Sequence, residues 1–247
     1  MVLPGQFLER SVTVPSGELS LDGLFHRGKR RPACVIAAPH PALGGSMTVP
    51  AINELAWALT RAGHATLRFD YRGVGASQGK STHVASLTEL PPRIVPAAIT
   101  GEVQDLLSAL DQLRESAYLE GDGPRDAPVC AIGYSFGACV VLAAADDPRI
   151  ERLVLIAPPT EIADLDALAR VKKPVLAICA QHDPLVDRAA LMKLLEPLGD
   201  QARLEIVAHA DHSFRRGIVE LGRIVAGYLR GTGPAQQAVR VEAEREE

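Results

Sequence analysis

Aromatic residues are scarce in this chain: Phe, Trp and Tyr make up 4% of its 247 residues, and Trp57 is the single tryptophan. A core of this size must then be filled by Val, Ile, Leu and Ala, the side chains that suit buried parallel strands and the helices packed on them. Long apolar runs are also missing. The longest, Ala138 to Ala145, falls well short of the roughly 20 residues needed to cross a bilayer. The opening MVLPGQFLER has neither the basic start nor the apolar stretch of a signal peptide, so a cytoplasmic protein with no membrane span is expected. A net charge of −4 gives no basic surplus of the kind that nucleic acid or anionic lipid would demand. The four cysteines, Cys34, Cys130, Cys139 and Cys179, stand singly in apolar segments with no C-x-x-C pair. They read as buried thiols rather than disulfides or metal ligands.

What remains is an alternation of short apolar runs with longer amphipathic ones, the pattern of a mostly parallel sheet covered by helices on both faces. Val12–Val14 and Glu18–Phe25 read as an opening antiparallel hairpin turned at Pro15-Ser16-Gly17. Cys34–Ala38, Ala65–Phe69, Val129–Ile132, Leu153–Ile156, Val175–Cys179 and Leu204–Val207 read as further strands. Helices are expected at Val49–Ala62, with Ile52, Leu55, Ala56 and Leu59 on one face, at Gly101–Glu115, at Phe136–Ala145 and at Phe214–Leu229. One α/β domain over residues 1–230 accounts for all of this. Residues 231–247 carry Gly, Pro and then dense charge, and read as a disordered tail. Gly79–Thr100 forms a long connection with Pro91, Pro92 and Pro96, a length that in a compact domain points to a functional or mobile loop.

Gly133-Tyr134-Ser135-Phe136-Gly137 matches G-x-S-x-G. The motif is short, and its setting carries the weight: a strand precedes it directly and an Ala-rich apolar helix follows. Such a turn lifts the Ser135 hydroxyl clear of the sheet and next to a helix N-terminus, while Gly133, Gly137 and Ala138 leave room for close packing. A hydroxyl is a weak nucleophile near neutral pH and needs a base and a group that orients the base. For serine enzymes built on this turn the chain order is Ser, acid, His. Asp183, just past the strand Val175–Cys179, is the expected acid, and Asp187 is left to cap a helix. His212, after Leu204–Val207, is preferred over His209 as the base, and Asp211 reads as a cap. An oxyanion would be met by two backbone amides, Phe136 N–H and one from the loop His40–Met47. Pro41 has no N–H, so Ala42 is the candidate. His40, Leu43 and Tyr134 are assigned to substrate binding, with loop bracing by hydrogen bond the plainer role for His40.

With these segments in place, the chain resembles the α/β-hydrolase superfamily from about Val12 to Arg230. It is most similar to the compact, lidless esterase-like and dienelactone-hydrolase-like branch carrying H-P-x-x-x-G-G-S-M, here His40–Met47, and F-D-x-R-G-x-G-x-S, here Phe69–Ser77. Asp70 and Arg72 in the second motif are architectural in that superfamily. Two departures stand out: Ala180 and His209 each replace a glycine. Only Pro158–Lys173 separates the strands between which a cap domain would lie, so Gly79–Thr100 is the remaining candidate cover. The resemblance implies acyl transfer from a small-molecule ester or thioester with neither metal nor organic cofactor; a monomer or homodimer is the general default. An acyltransferase on the same three residues, a perhydrolase or lyase, and a non-catalytic binding protein are the alternatives.

Overall fold

The computed structural model describes residues 8–80 and 93–231. Strand β1 (Arg10–Ser16) leads into a long strand β2 (Leu19–Ala37), followed by α1 (Pro50–Arg61), β3 (His64–Phe69), α2 (Thr100–Leu119), β4 (Val129–Tyr134) and α3 (Phe136–Ala143). Then come β5 (Ile150–Ile156), β6 (Val175–Ala180), α4 (Arg188–Leu195), β7 (Ala202–Val207) and α5 (Ile218–Arg230). The strands form one seven-stranded sheet in the order β1-β2-β4-β5-β6-β7, with β3 paired to β2. Pairing is antiparallel between β1 and β2 and parallel from β2 through β7. This is the α/β-hydrolase fold expected from the sequence, with its antiparallel opening hairpin and, among the described residues, no cap domain evident.

Where two strands were expected, at Glu18–Phe25 and Cys34–Ala38, a single β2 runs through both. Its two halves flank β3. Gly23↔Phe69 to His26↔Thr66 run antiparallel, and beyond an irregular stretch Cys34↔Thr66 to Ile36↔Arg68 advance in step. The polar HRGKRRP segment between them resembles a loop in sequence, yet it remains strand as the chain turns past β3. Gly28 sits against the backbone of His64, where a Cβ would lie 2.3 Å from His64 C.

Helix α1 begins with Pro50 in its first turn, where no intrahelical bond needs its missing N–H, and buries Ile52, Leu55, Ala56 and Leu59. It packs with α5, and α2 packs with α3. The closing helix starts at Ile218 rather than Phe214, because Phe214 adopts φ 52° and ends a tight turn instead of opening a helix. Between β5 and β6 the chain makes only a short 3-10 turn at Asp166–Arg170. Of the long connection after Gly79, residues 81–92 lie outside the described residues, as do 232–247 of the expected tail. Its described end docks on the β5–β6 connection, with Ile94 N–H donating to Ile162 O at 2.7 Å and Asp164 N–H to Ile94 O at 2.8 Å. Among the described residues no helix is long and apolar enough to cross a membrane.

Candidate active site

The carboxyl ends of the parallel strands bring the sequence-selected side chains to one edge of the sheet, where ligands of open α/β sheets bind. Ser135 occupies the turn between β4 and α3 at φ 55°, ψ −115°, a conformation that non-glycine residues rarely adopt. The turn closes because its neighbours lack side chains. A Cβ on Gly133 would lie 2.1 Å from Gly137 O, and one on Gly137 2.4 Å from Ala37 O. Ser135 N–H donates to Ile156 O at 2.8 Å, tying the turn to the end of β5.

Ser135 Oγ stands 2.9 Å from His212 Nε2. His212 Nδ1 lies 2.9 and 2.8 Å from the two carboxylate oxygens of Asp183. Asp183 Oδ1 also accepts the Leu185 N–H at 2.9 Å, and its side chain is 1% exposed. The three residues form one continuous relay from three separate strand ends. Asp187 instead caps α4, accepting the amides of Ala189 and Ala190. Asp211 accepts from Ser213 N–H and Oγ–H, bonds that hold its carboxyl below the ordinary carboxylate range, so it caps the turn after β7 rather than a helix. His209 is exposed, held at φ 57° where glycine would be unstrained, and its N–H donates to Gln181 Oε1.

Two residues assigned to substrate binding take other places. Tyr134 is 6% exposed, and its hydroxyl donates to His212 O at 2.6 Å. Its ring lies 5.9 Å from the His212 ring and meets Phe214 edge-on at 6.0 Å. Tyr134 therefore ties the serine turn to the histidine turn, and burial with nearby Asp183 raises its phenol above the usual range. His40 is also buried. Its Nδ1 accepts the Ala42 N–H at 3.1 Å and its ring packs edge-on against Phe136 at 4.8 Å, which is the bracing role. Leu43 alone of the three is well exposed.

The loop after β2 holds its amides inward. Besides Ala42, Leu43 and Gly45 N–H donate to His40 O, and Gly44 N–H to Pro41 O. The Ala42 amide is thus engaged by His40 in this structure. Phe136 N–H stands at the first position of α3, where helix amides point out along the axis. The far end of the loop is tethered by Asp70, an architectural residue of the second motif, and by Arg68, which the sequence does not single out. Met47 N–H donates to Asp70 at 2.6 Å and Arg68 donates to Met47 O at 2.8 Å. Burial raises the Asp70 carboxyl, with the Met47 amide opposing that shift. Arg72 forms a two-pronged pair with the buried Asp105 carboxylate at 3.0 and 2.7 Å, and Ser16 Oγ–H donates to the same group. Asp105 was missed. The signal available was its place, with Glu102, on the apolar face of α2. Among the described residues no three His, Cys, Asp or Glu side chains group to hold a metal ion.

The model of the family described as serine aminopeptidase, S33, fits residues 42–167, just over half of the chain and including the Ser135 turn. The chain belongs to this family of α/β-hydrolases. The S33-family chain is 27% identical over 207 residues to an uncharacterized protein of Rickettsia prowazekii, covering 80% of this chain and 78% of that one. Among solved structures it is similar to a serine hydrolase without a lid from Xanthomonas campestris, at 26% identity and TM-score 0.70, over 96% of this chain and 100% of that one. A serine hydrolase homologue from Coxiella burnetii shares the fold at 24% identity and TM-score 0.71, over 93% and 99% of the two chains.

Proposed function

We propose that this S33-family chain is a serine hydrolase that cleaves a carboxylic ester or thioester of a small molecule through an acyl-enzyme. The relay Ser135 Oγ–His212 Nε2, His212 Nδ1–Asp183 carries this reading, because it supplies in line a nucleophile, a base within hydrogen-bond reach and a group that fixes the base.

In the first step Ser135 Oγ attacks the substrate carbonyl while His212 Nε2 takes its proton. Asp183 holds the Nδ1–H tautomer and stabilises the imidazolium that forms. The tetrahedral adduct collapses as His212 returns the proton to the departing alcohol or thiol. Water then enters and attacks the acyl carbon as His212 takes its proton; His212 passes that proton to Ser135 Oγ as the acyl–Oγ bond breaks and the acid leaves. The oxyanion is met by Phe136 N–H at the α3 N-terminus, each such donor being worth about 2.7–4 kcal/mol in comparable sites. Ala42 N–H joins it by exchanging His40 Nδ1 for the oxyanion, a neutral hydrogen bond given up for a charge-assisted one.

The test is turnover of graded acyl esters and acyl thioesters, with an aminoacyl anilide added because the matching family is described as a serine aminopeptidase. Ser135→Ala is the control, and labelling by a fluorophosphonate is a second readout. Turnover should fall by about 10⁴-fold or more in Ser135→Ala, and labelling should disappear. Full activity in that variant sinks the assignment. No turnover and no labelling in the folded wild-type chain would favour a binding protein.

A further inference from the structure

Strand β7 is an outer edge of the sheet: it pairs with β6 on one side and, among the described residues, with no strand on the other. Its exposed side chains mix an apolar group with charge, Ile206 at 46% exposure beside Arg203 and Glu205. The helices that flank β7 each expose an apolar side chain as well, Met192 on α4 and Val219 on α5.

The phase of β7 fixes which groups face outward. Gln181 N–H donates to Val207 O at 3.0 Å, so the main-chain groups of Val207, Glu205 and Arg203 turn toward β6. Those of Leu204 and Ile206 turn away from it. The Ala202 carbonyl turns out too, while its N–H donates back to Gly199 O. On the side-chain level, alternation puts Ala202, Leu204 and Ile206 on one face and Arg203 and Glu205 on the other.

The geometry points to a homodimer in which two β7 strands pair antiparallel about a two-fold axis at Leu204. This register is self-complementary in every respect the strand offers. Leu204 N–H donates to Leu204 O of the second copy and receives the reciprocal bond, while Ile206 N–H donates to Ala202 O of the second copy. On one face Leu204 meets its own equivalent, and Ile206 lies over Ala202 of the second copy, leaving room for the larger side chain. On the other face Arg203 stands opposite Glu205 of the second copy and Glu205 opposite Arg203. These cross-strand pairs fall at non-hydrogen-bonded positions, where side chains approach most closely. Within one chain Arg203 and Glu205 already pair with each other, at 51% and 29% side-chain exposure, so the dimer joins two half-exposed ion pairs into one network. A shift by one residue in register would set Arg203 against an apolar partner and lose both cross-strand pairs. The sheets then run continuously through both copies, and the carboxyl-edge sites lie at opposite ends of the assembly.

The test is a charge swap on the full chain, read by sedimentation velocity and mass photometry. The wild type should dimerise with a Kd on the order of 10 μM, in keeping with a short edge contact. Arg203→Glu puts two pairs of like charges face to face and should weaken the dimer by about ten-fold or more. The double variant Arg203→Glu, Glu205→Arg restores the pairing and should return to within about three-fold of the wild type. Leu204→Cys should cross-link to itself under air oxidation, because directly opposed strand positions fall within disulfide reach. A wild type that stays monomeric at about 200 μM overturns the proposal. So does a swap that fails to rescue, or a dimer whose Leu204→Cys does not cross-link. All three variants change exposed or edge side chains, and retained ellipticity and melting temperature separate a lost interface from a lost fold.

Discussion

The two halves of the sheet hold their parts of the site by different physics. From β4 onward, apart from Ser135, the Asp183 carboxylate and the Tyr134 hydroxyl, the buried side chains among the described residues are apolar, and β4, β5 and β6 are built mainly from Val, Ile, Leu, Ala and Cys. The Ser135 turn is locked there by shape, with glycine backbones packed against carbonyls. On the β2–β3 side the buried set includes His64, Arg68, Asp70, Glu102, Asp105 and Asp122, and the loop that faces Ser135 is held by hydrogen bonds and charge. Shape locks fail abruptly, since a close-packed interior cannot absorb an added methyl. Polar tethers fail by degrees, and they answer to protons.

The sharpest break of this contrast is Gly137→Ala. The new Cβ meets main-chain oxygens of Ala37 and Ala38, at 2.4 and 2.7 Å, with no flexible side chain to give way. A loss of at least about 3 kcal/mol, or failure to accumulate folded protein, is expected in urea unfolding. A variant as stable as wild type would show that the turn is not shape-locked. On the polar side, Asp70→Ala removes the acceptor for Met47 N–H and should cost about 1–3 kcal/mol, with turnover reduced roughly ten-fold through the loosened loop. Asp70→Asn keeps an acceptor at the same place, and since burial disfavours the charged form it should recover most of both losses. Equal damage from Asn and Ala would mean that charge, not the hydrogen bond, holds the loop.

The smallest effect concerns His64. It is fully buried, its Nδ1–H donates to Pro32 O at 2.8 Å, and its Nε2 has no hydrogen-bond partner among the described residues. Burial holds its pKa below the ordinary value of 6.5 against the opposing pull of the Pro32 hydrogen bond, and the nearby charges of Arg30, Arg230 and Arg152 push it down further. Between the folded and unfolded values the unfolded chain therefore binds more protons, so stability is complete above about pH 6.5 and is lost as pH falls through that value toward the folded one. His64→Gln should flatten the difference between unfolding midpoints measured at pH 7.5 and 5.5. Parallel curves for the two proteins would assign that acid sensitivity to other groups.

Much of the architecture was readable from the chain because its signals are local. The strand, the G-x-S-x-G turn and the helix after it together span the fifteen residues Val129–Ala143, and Asp183 and His212 each lie a few residues past a strand end. The rest is not legible where partners are remote. Nothing near His40 or Tyr134 reveals that their rings are enclosed, since Phe136, Phe214 and His212 supply the walls. The HRGKRRP stretch looks like a loop until β3 is placed between the two halves of β2. Phe214 looks like the first apolar residue of a helix, but its left-handed backbone sets it under Tyr134 instead. Asp105 is invisible as a tether without Arg72, which is 33 residues away.

The placing of β3 bears on how the molecule comes apart. Thr66 pairs with His26 on one side and Cys34 on the other, and all six residues of β3 are buried. Both neighbours of β3 belong to a single strand, so neither side can be peeled away while the other persists. The amides of β3 are consequently shielded from solvent until β2 itself is released, which joins the opening hairpin and the loop facing Ser135 into one cooperative unit. Local fluctuation is left to the connections around that unit, among them the turns that carry Asp183 and His212.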